Sequence, residues 1–451
     1  MISLARKLRV TDFFTLGFGT MVGVGWLVVM DDWLTRGGPL GAILGFAIGG
    51  VLLLPIGYVY GQLVKAMPDA SGEVAYTAKV FPKAVSFASG WLMLLAYFIV
   101  CPWEAVALGK IAAYIFPSLD RWELYRVAGQ PVFLPRVLLG VALLLFLAVV
   151  NYRGIRLSAT FQNWTTFSVL ALFAVLVACG AARGTPHNFI PPFSHAPWVS
   201  VLLVMQIVPY FMTGFESVGK CAEEAHPEFR SRGFFLAIVL AIVVAMTFYV
   251  LAVAAVAFVS PWPALIGQKF ATAVAFERAF GARWIVNLLL LTALLSLFKV
   301  FNGNFVASSR LLFALGRRGL VDSRLASVHP VNQTPATAII CIAMATVAGL
   351  LLGDAILIPI TEVGSVASAL GWLAACAAYL RMRPSAGSRA IAMLGIFAGV
   401  LMVLMKIVPA IPGHFTRAEY VSLGIWALLG LLLNLAAKKH LGSEVHPPAD
   451  L

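Results

Sequence analysis

The chain has 451 residues, of which 61% are hydrophobic and only 11% charged, and its formal net charge is +13. A soluble domain carries about 25% charged residues, so the composition excludes an ordinary water-soluble globule and specifies an all-α polytopic membrane protein. The basic residues sit between apolar runs rather than on one face, which excludes nucleic acid as the partner behind the positive charge.

The amino terminus, 1–10, is short and basic. The apolar run after it is rich in glycine and has no small-residue cleavage site, so it is read as a retained span and not as a signal peptide. About twelve runs approach the roughly 20 residues that a helix needs to cross a bilayer. They lie at 12–30, 38–64, 85–115, 133–150, 160–182, 198–221, 233–259, 281–312, 335–352, 357–380, 388–409 and 418–437. With the amino terminus in the cytoplasm, roughly twenty Lys and Arg fall on the cytoplasmic side against roughly nine outside, the positive-inside bias. This predicts a multi-pass cell-membrane protein with both termini cytoplasmic. The five cysteines are scattered and mostly within spans, with neither metal-ligand spacing nor a disulfide framework.

Spans one and six are interrupted. Gly17, Gly19, Gly23 and Gly25 break the first around Met21-Val22-Gly23-Val24-Gly25. Pro209 and Thr213-Gly214 break the sixth within Pro209-Tyr210-Phe211-Met212-Thr213-Gly214-Phe215-Glu216. A helix broken at membrane depth exposes peptide groups that lipid cannot satisfy, so they must face protein, a cavity or a ligand. Paired breaks in two halves are the best sequence pointer to a transporter's binding site. Five spans separate the two, so the second five-helix unit enters the membrane from the opposite face, as an inverted repeat. Beyond the shared glycine interruption the halves show no likeness. The expected organisation is a tail and first repeat at 1–182, a second repeat at 183–383, and two peripheral helices with a cytoplasmic tail at 384–451.

Several motifs occur in one order: Gly23-Val24-Gly25; Pro39 opening span two; Tyr60-Gly61-Gln62-Leu63 leading to Met67-Pro68-Asp69-Ala70-Ser71-Gly72-Glu73 and Tyr76; Asn151-Tyr152-Arg153-Gly154-Ile155-Arg156 after span four; Phe215-Glu216 with Ala222-Glu223-Glu224-Ala225-His226-Pro227 closing span six; and Ala307-Ser308-Ser309-Arg310-Leu311-Leu312-Phe313-Ala314 with Arg318-Gly319-Leu320 after span eight. Together, over about 6–383, they resemble the amino acid–polyamine–organocation (APC) superfamily. The resemblance implies a LeuT-like fold, five plus five helices in inverted repeats with two peripheral helices.

The chemistry of the site follows separately. A free amino acid carries a carboxylate and an ammonium, and burying either without partners is prohibitive. The half of span one that starts near the break, read as the inner half, has amides without intrahelical acceptors. The Val24 and Gly25 amides are the candidates for the carboxylate. Carbonyls freed at Met21, Tyr210, Phe211 and Thr213 are candidates for the ammonium. The bland alternative is that these glycines only aid helix packing. The resemblance implies that Tyr210 is an aromatic gate over the substrate and leaves Phe215 as packing more than pocket. Trp26 stands where the family usually has a smaller aliphatic residue, and it either narrows the pocket toward small substrates or packs outward.

Ionisable residues inside spans are functional hypotheses by default. Lys299 is mid-span in span eight, whereas Lys110 and Lys406 lie near span ends and are read as snorkelling. By resemblance, sodium-coupled members hold an ion between spans one and eight, and some proton-coupled ones place a span-five lysine there. Here the matching stretch Asn163 to Ser168 lacks a lysine, so the Lys299 ammonium is assigned to that position from the other wall, with Ser168 a lesser coupling candidate. The alternative is a permanently charged structural lysine bridging carbonyls. Glu104 in span three either balances Lys299 or meets a cationic substrate group. Glu216 matches an acidic family position near the gate. Glu104 and Glu216 are each a proton carrier or a structural anchor. Glu223 and Glu224 are read as a solvated cluster with Arg230 and Arg232, and Gln62 replaces a common family glutamate.

The reading is a secondary transporter of amino acids or related small amines, by alternating access and with protons as the coupling ion. An amino acid exchanger is the alternative, a channel would not need two broken helices, and a membrane enzyme lacks HExxH, Gly-x-Ser-x-Gly or paired catalytic acids. No cofactor, metal or P-loop is implied.

Overall fold

In a computed structural model, residues 4–443 are described; positions 1–3 and 444–451, including His446 and the end of the expected cytoplasmic tail, lie outside the described residues. Ten helices are long and apolar enough to cross a bilayer. Span nine is a shorter helix, Ala336–Leu350. Span six is divided into Pro197–Met205, Val208–Met212 and Ser217–Lys220. Each of the twelve apolar runs therefore corresponds to helix, and the chain is a polytopic helical membrane protein.

Span one is divided into Val10–Met21 and Gly25–Val28, and its second half continues from Met30 into the helix Met30–Ala66. The turn into span two comes at Gly38, where φ is +61°. A side chain there would be strained and would meet the backbone of Phe193 and Ser194 at 2.8 Å. Span one thus ends near position 37 and not at Met30. The acidic pair Asp31-Asp32 made the apolar run look finished. Instead Arg36 pairs with Asp32 and with Glu362 of span ten, each at 2.8 Å, so Asp32 is compensated inside the helical bundle, and Asp31 faces an open vestibule.

Span two is the hub. Its Gly41, Gly45 and Gly49 recur every four residues, and a Cβ on each would meet Ser200, Val204 and Val208 of span six within 2.7–2.8 Å. Gly50, Gly57 and Gly61 offer a second face to Met246, Ile242 and Phe235 at the start and middle of span seven, Arg232–Val259. Without a hydrophobic drive between helices in lipid, small residues that let backbones approach supply the packing.

The first half of span one lies among span five (Ile155–Arg183), span seven and span eight (Arg283–Arg317). Span six packs on span two and span ten (Leu357–Arg381). Span eleven, Ala386–Ile407, rests on spans two and ten. Span twelve, Arg417–Ser443, is the most lipid-exposed, with only 17% of its apolar window buried. Between spans three and four the chain forms an antiparallel hairpin, Glu123–Val127 with Gln130–Phe133, that the all-helical expectation did not include. Its Tyr125 hydroxyl donates to the Leu351 carbonyl at 2.6 Å, fixing it over the mouth opposite the termini.

Candidate substrate site

At the break in span one the helix stops at Met21, Val22 is extended (φ −100°, ψ 104°), and helix resumes at Gly25. The half that begins at the break is the one after it, which corrects the inner-half assignment: with a cytoplasmic amino terminus this is the outer half. Among the described residues, the amides of Gly23, Val24, Gly25 and Trp26 meet no backbone acceptor; the Val24 amide is turned to the Glu104 carboxylate and the Gly23 amide to the Tyr249 hydroxyl, and the Gly25 and Trp26 amides have no partner. The carbonyls just before them are taken. The Tyr249 hydroxyl of span seven lies 2.9 Å from the Met21 carbonyl. The Lys299 ammonium donates to the Val22 carbonyl, and the Ser296 hydroxyl to the Gly23 carbonyl at 2.8 Å. Asn304 donates to the Thr20 carbonyl at 3.0 Å.

Span six breaks at Gln206-Ile207 and again at 213–216. Gly214 has φ +142°, and a Cβ there would stand 2.7 Å from the Met21 nitrogen and the Thr20 carbonyl carbon. Only glycine supplies both that dihedral and that backbone-to-backbone approach, so Gly214 is where the two breaks touch. The Gly214 amide is capped by the Glu216 carboxylate at 3.1 Å. The Thr213 hydroxyl donates to the Pro209 carbonyl at 2.6 Å and is hydrogen-bonded with Ser368 of span ten. The Tyr210 amide reaches Ser365 at 3.2 Å.

Between the breaks is a small cavity of about 20 Å³, room for about one water. Met21, Gly23, Gly25, Tyr210, Phe211 and Glu104 line it, with Thr20, Val100, Trp103 and Val300. The structure therefore brings together six of the residues singled out from sequence. Val22 and Val24 are buried members of the break whose side chains do not wall the cavity. Thr213 and Gly214 lie beside it on the contact with spans one and ten. Trp26 faces away, edge-on to Phe173 and Phe248 at 6.1 and 6.2 Å, which resolves its alternatives in favour of outward packing. Phe215 packs on Tyr60 and Trp372. Ser168 is half-buried on span five, makes no hydrogen bond among the described residues, and is not part of the cavity. Lys299 approaches the span-one break from behind the cavity, with its ammonium 4.9 Å from the centre of the Phe18 ring. Glu104 is buried; its Oε2 has no partner, and its Oε1 is the atom that a Cβ on Gly23 would strike.

Four residues that matter here were not singled out. Trp103 walls the cavity, and its indole donates to the Leu357 carbonyl at 2.7 Å. Beyond Leu357 opens a vestibule of about 670 Å³ with Asp31, Lys110 and Arg136 on its walls, so Trp103 and Leu357 are the plug between them. Tyr249, Ser296 and Asn304 hold the carbonyls of the break; as lone polar groups inside apolar spans they carried a readable signal. A second polar ladder ties spans four, five, eight and one: Asn151 to Asn302 at 2.9 Å, Asn302 to Gln162 at 2.8 Å, and Gln162 to the Thr15 carbonyl at 3.3 Å.

The side nearer the termini is sealed by ion pairs. Lys220 at the end of span six pairs with Glu73, both fully buried, and Tyr60 donates to Glu73 at 2.7 Å. Glu224 pairs with buried Arg310 at 3.2 Å, and Glu223 with Arg317 at 2.5 Å. The expected solvated cluster with Arg230 and Arg232 is therefore absent among the described residues, and Arg310 and Lys220 are interior charges, not loop cations. Lys406 does not snorkel either: it pairs with Glu362 and reaches the Gly413 carbonyl at 3.1 Å.

The chain matches the amino acid permease family over residues 8–433. It belongs to that family. The permease is thereby a member of the APC superfamily, as its motifs implied, and a transporter, not an enzyme. It is 25% identical over 345 residues to the methylthioribose transporter of Bacillus subtilis (strain 168), covering 74% of this chain and 72% of that protein. It is 23% identical over 349 residues to the branched-chain amino acid permease BcaP of the same organism, with 74% and 72% covered. The aromatic amino acid transport protein AroP of Escherichia coli (strain K12) is 24% identical over 347 residues, with 75% and 73% covered.

Proposed function

We propose that the permease takes up amino acids with small side chains, or related small amines, by proton-coupled symport through alternating access between two inverted five-helix repeats. The repeats are 1–182 and 183–383, with 384–451 peripheral, in a LeuT-like arrangement with both termini cytoplasmic. The substrate carboxylate is received by the Gly23–Trp26 amides. The ammonium is received by the carbonyl side of the breaks, where Tyr210 and Thr213 keep carbonyls without a donor among the described residues. Tyr210 and Trp103 close over it. Relatives named for branched-chain and aromatic amino acids support the substrate class, and the tight cavity supports the small end of it.

The observation that carries the coupling is the Lys299 ammonium on the Val22 carbonyl, with Glu104 across the same break. One acid and one base at the binding site can pass a single proton between them. Protonated Lys299 holds the span-one break in its binding shape; loss of the proton to the cytoplasm frees the Val22 carbonyl and loosens the substrate. The competing reading is exchange, favoured by the way Val22 and the Phe18 ring already satisfy a permanently charged lysine. Proteoliposome uptake with and without an imposed pH gradient decides between them. Concentrative uptake that follows the proton gradient and is lost in Lys299→Ala supports symport. Uptake driven by sodium, gradient dependence unchanged in that variant, or counterflow indifferent to the gradient rejects it.

A further inference from the structure

We propose that the permease carries a specific site for an anionic phospholipid in the leaflet on the side of its termini, in the groove between spans three and twelve. The groove has a volume of about 490 Å³ and is apolar along most of its length, with Phe87, Trp91, Trp426 and Leu431 among its walls. Three cations stand at it, Lys83, Arg318 and Lys438, and among the described residues no acidic side chain lines it. Arg318 is engaged with Asp69 at 2.6 Å and Ser71 at 2.8 Å. Lys83 and Lys438 are exposed and, among the described residues, make no ion pair.

The dimensions select a lipid over a soluble anion. The walls run from Lys83 to Leu92 on span three and from Trp426 to Lys438 on span twelve. At 1.5 Å per residue these are roughly 14 and 18 Å, against about 15 Å for one leaflet of a 30 Å hydrocarbon core. The cations sit where span three starts and span twelve nears its end, the depth of a headgroup, and the apolar walls descend from them as an acyl chain does. The floor is rigid. Trp91 and Trp426 stack with ring centres 4.6 Å apart, and each indole donates to the other's carbonyl, at 2.9 and 3.0 Å. A zwitterionic headgroup brings its own cation to the lysines, whereas an anionic one presents charge they can neutralise without a competitor. Basic pockets between spans at a membrane surface recognise headgroups in this way.

The site also has a structural consequence. Span twelve touches the bundle lightly, and Asn434 reaches the Leu320 carbonyl at 2.7 Å beside the groove. A lipid filling the groove joins span twelve to span three and to the loop after span eight, so its binding stabilises the fold.

The test uses the purified full-length permease in detergent, with dioleoyl-phosphatidylglycerol and dioleoyl-phosphatidylcholine as probes. Native mass spectrometry should show phosphatidylglycerol retained in preference to phosphatidylcholine, and the same lipid should raise the melting temperature. The double variant Lys83→Gln/Lys438→Gln should lose about thirtyfold of that preference, the effect of two basic residues near an anionic surface, with its lipid-free melting temperature unchanged. Ala427→Trp, which fills the groove, should abolish retention of both lipids. Equal retention of the two lipids, an unchanged preference in the double variant, or protection by glycerol phosphate equal to that by phosphatidylglycerol would each overturn the proposal. None of these readouts depends on transport.

Discussion

The two helix breaks are not equivalent, although they meet at Gly214. The span-six break braces its turn from within: Thr213 bonds the Pro209 carbonyl of its own span, and Glu216, two residues on, caps the Gly214 amide, while Ser365 and Ser368 of span ten and Tyr249 of span seven add outside contacts. The span-one break is held from outside, by Tyr249 of span seven and by Lys299, Ser296 and Asn304 of span eight. Those partners take its carbonyls, and among the described residues its amides meet no backbone acceptor, with Gly25 and Trp26 left without any partner. A break braced from within acts as a hinge and a support for the aromatic gate. A break with its acceptors used and donors left free is an anion receptor whose shape other spans control. Coupling then has a physical route, because whatever alters span eight alters the receptor.

The contrast can be broken in order of severity. Gly214→Ala should abolish transport, by at least about a hundredfold, since the added Cβ would stand 2.7 Å from span-one backbone at a φ that alanine avoids. Uptake near the wild-type rate would mean that the breaks need not touch. Lys299→Ala leaves the buried Val22 carbonyl with only the longer Ser296 hydroxyl contact at 3.3 Å, a cost of about 1–3 kcal/mol. It should lower the melting temperature as well as uncouple uptake, and a variant that uncouples at full stability would show that the lysine does not brace the break. Tyr249→Phe removes one donor shared by the Met21 and Phe211 carbonyls. About 1 kcal/mol is expected, hence about a fivefold rise in the apparent KM. Thr213→Val, on the side braced from within, should stay within about twofold. If Thr213→Val were the more damaging of the last two, the asymmetry would be reversed.

The smallest effect lies at the sealed face, outside the membrane. Burial raises the Asp69 carboxyl, but the Ser71 hydroxyl and amide, then Arg318 and Arg317, outweigh it and hold the group below its ordinary 3.8. A depressed carboxyl contributes stability above its unfolded pKa and loses it as pH falls through the folded one. Asp69→Asn should therefore lower the melting temperature slightly at pH 6 and converge on wild type as the pH falls below 3.8 and through the lowered folded-state value. An equal deficit at both values would point to packing and not charge.

Much of this was legible in the sequence. Membrane spans are written in composition, and the breaks show because glycine and proline interrupt otherwise continuous apolar runs. Met21, Gly23, Gly25 and Phe211 were singled out on that basis, Tyr210 also by the family resemblance, and Glu104 as an ionisable residue inside a span. What failed depended on partners distant in sequence. Trp26 follows the glycines, but the direction of a side chain leaving a distorted turn is not encoded in its spacing, and it packs on Phe173 and Phe248. Lys220 and Arg310, counted among the cytoplasmic-side cations of the positive-inside bias, are interior because their partners Glu73 and Glu224 lie in other segments. Asp31-Asp32 looked like the end of span one because Glu362, which binds their neighbour Arg36, is in span ten. The hairpin left one trace, Ala128-Gly129, a two-residue loop with positive φ at both positions, a combination that suits a tight hairpin turn.

The most direct test of the account is equilibrium binding to the purified permease of the amino acid that stabilises it best in a thermal-shift screen, set against the amide of that same amino acid. The amide keeps the ammonium and the side chain and loses only the anionic carboxylate. If the Gly23–Trp26 amides are the receptor, the amide derivative should bind at least about a hundredfold more weakly, the worth of a charge-assisted contact of about 3 kcal/mol. Equal affinity for the two would contradict the account.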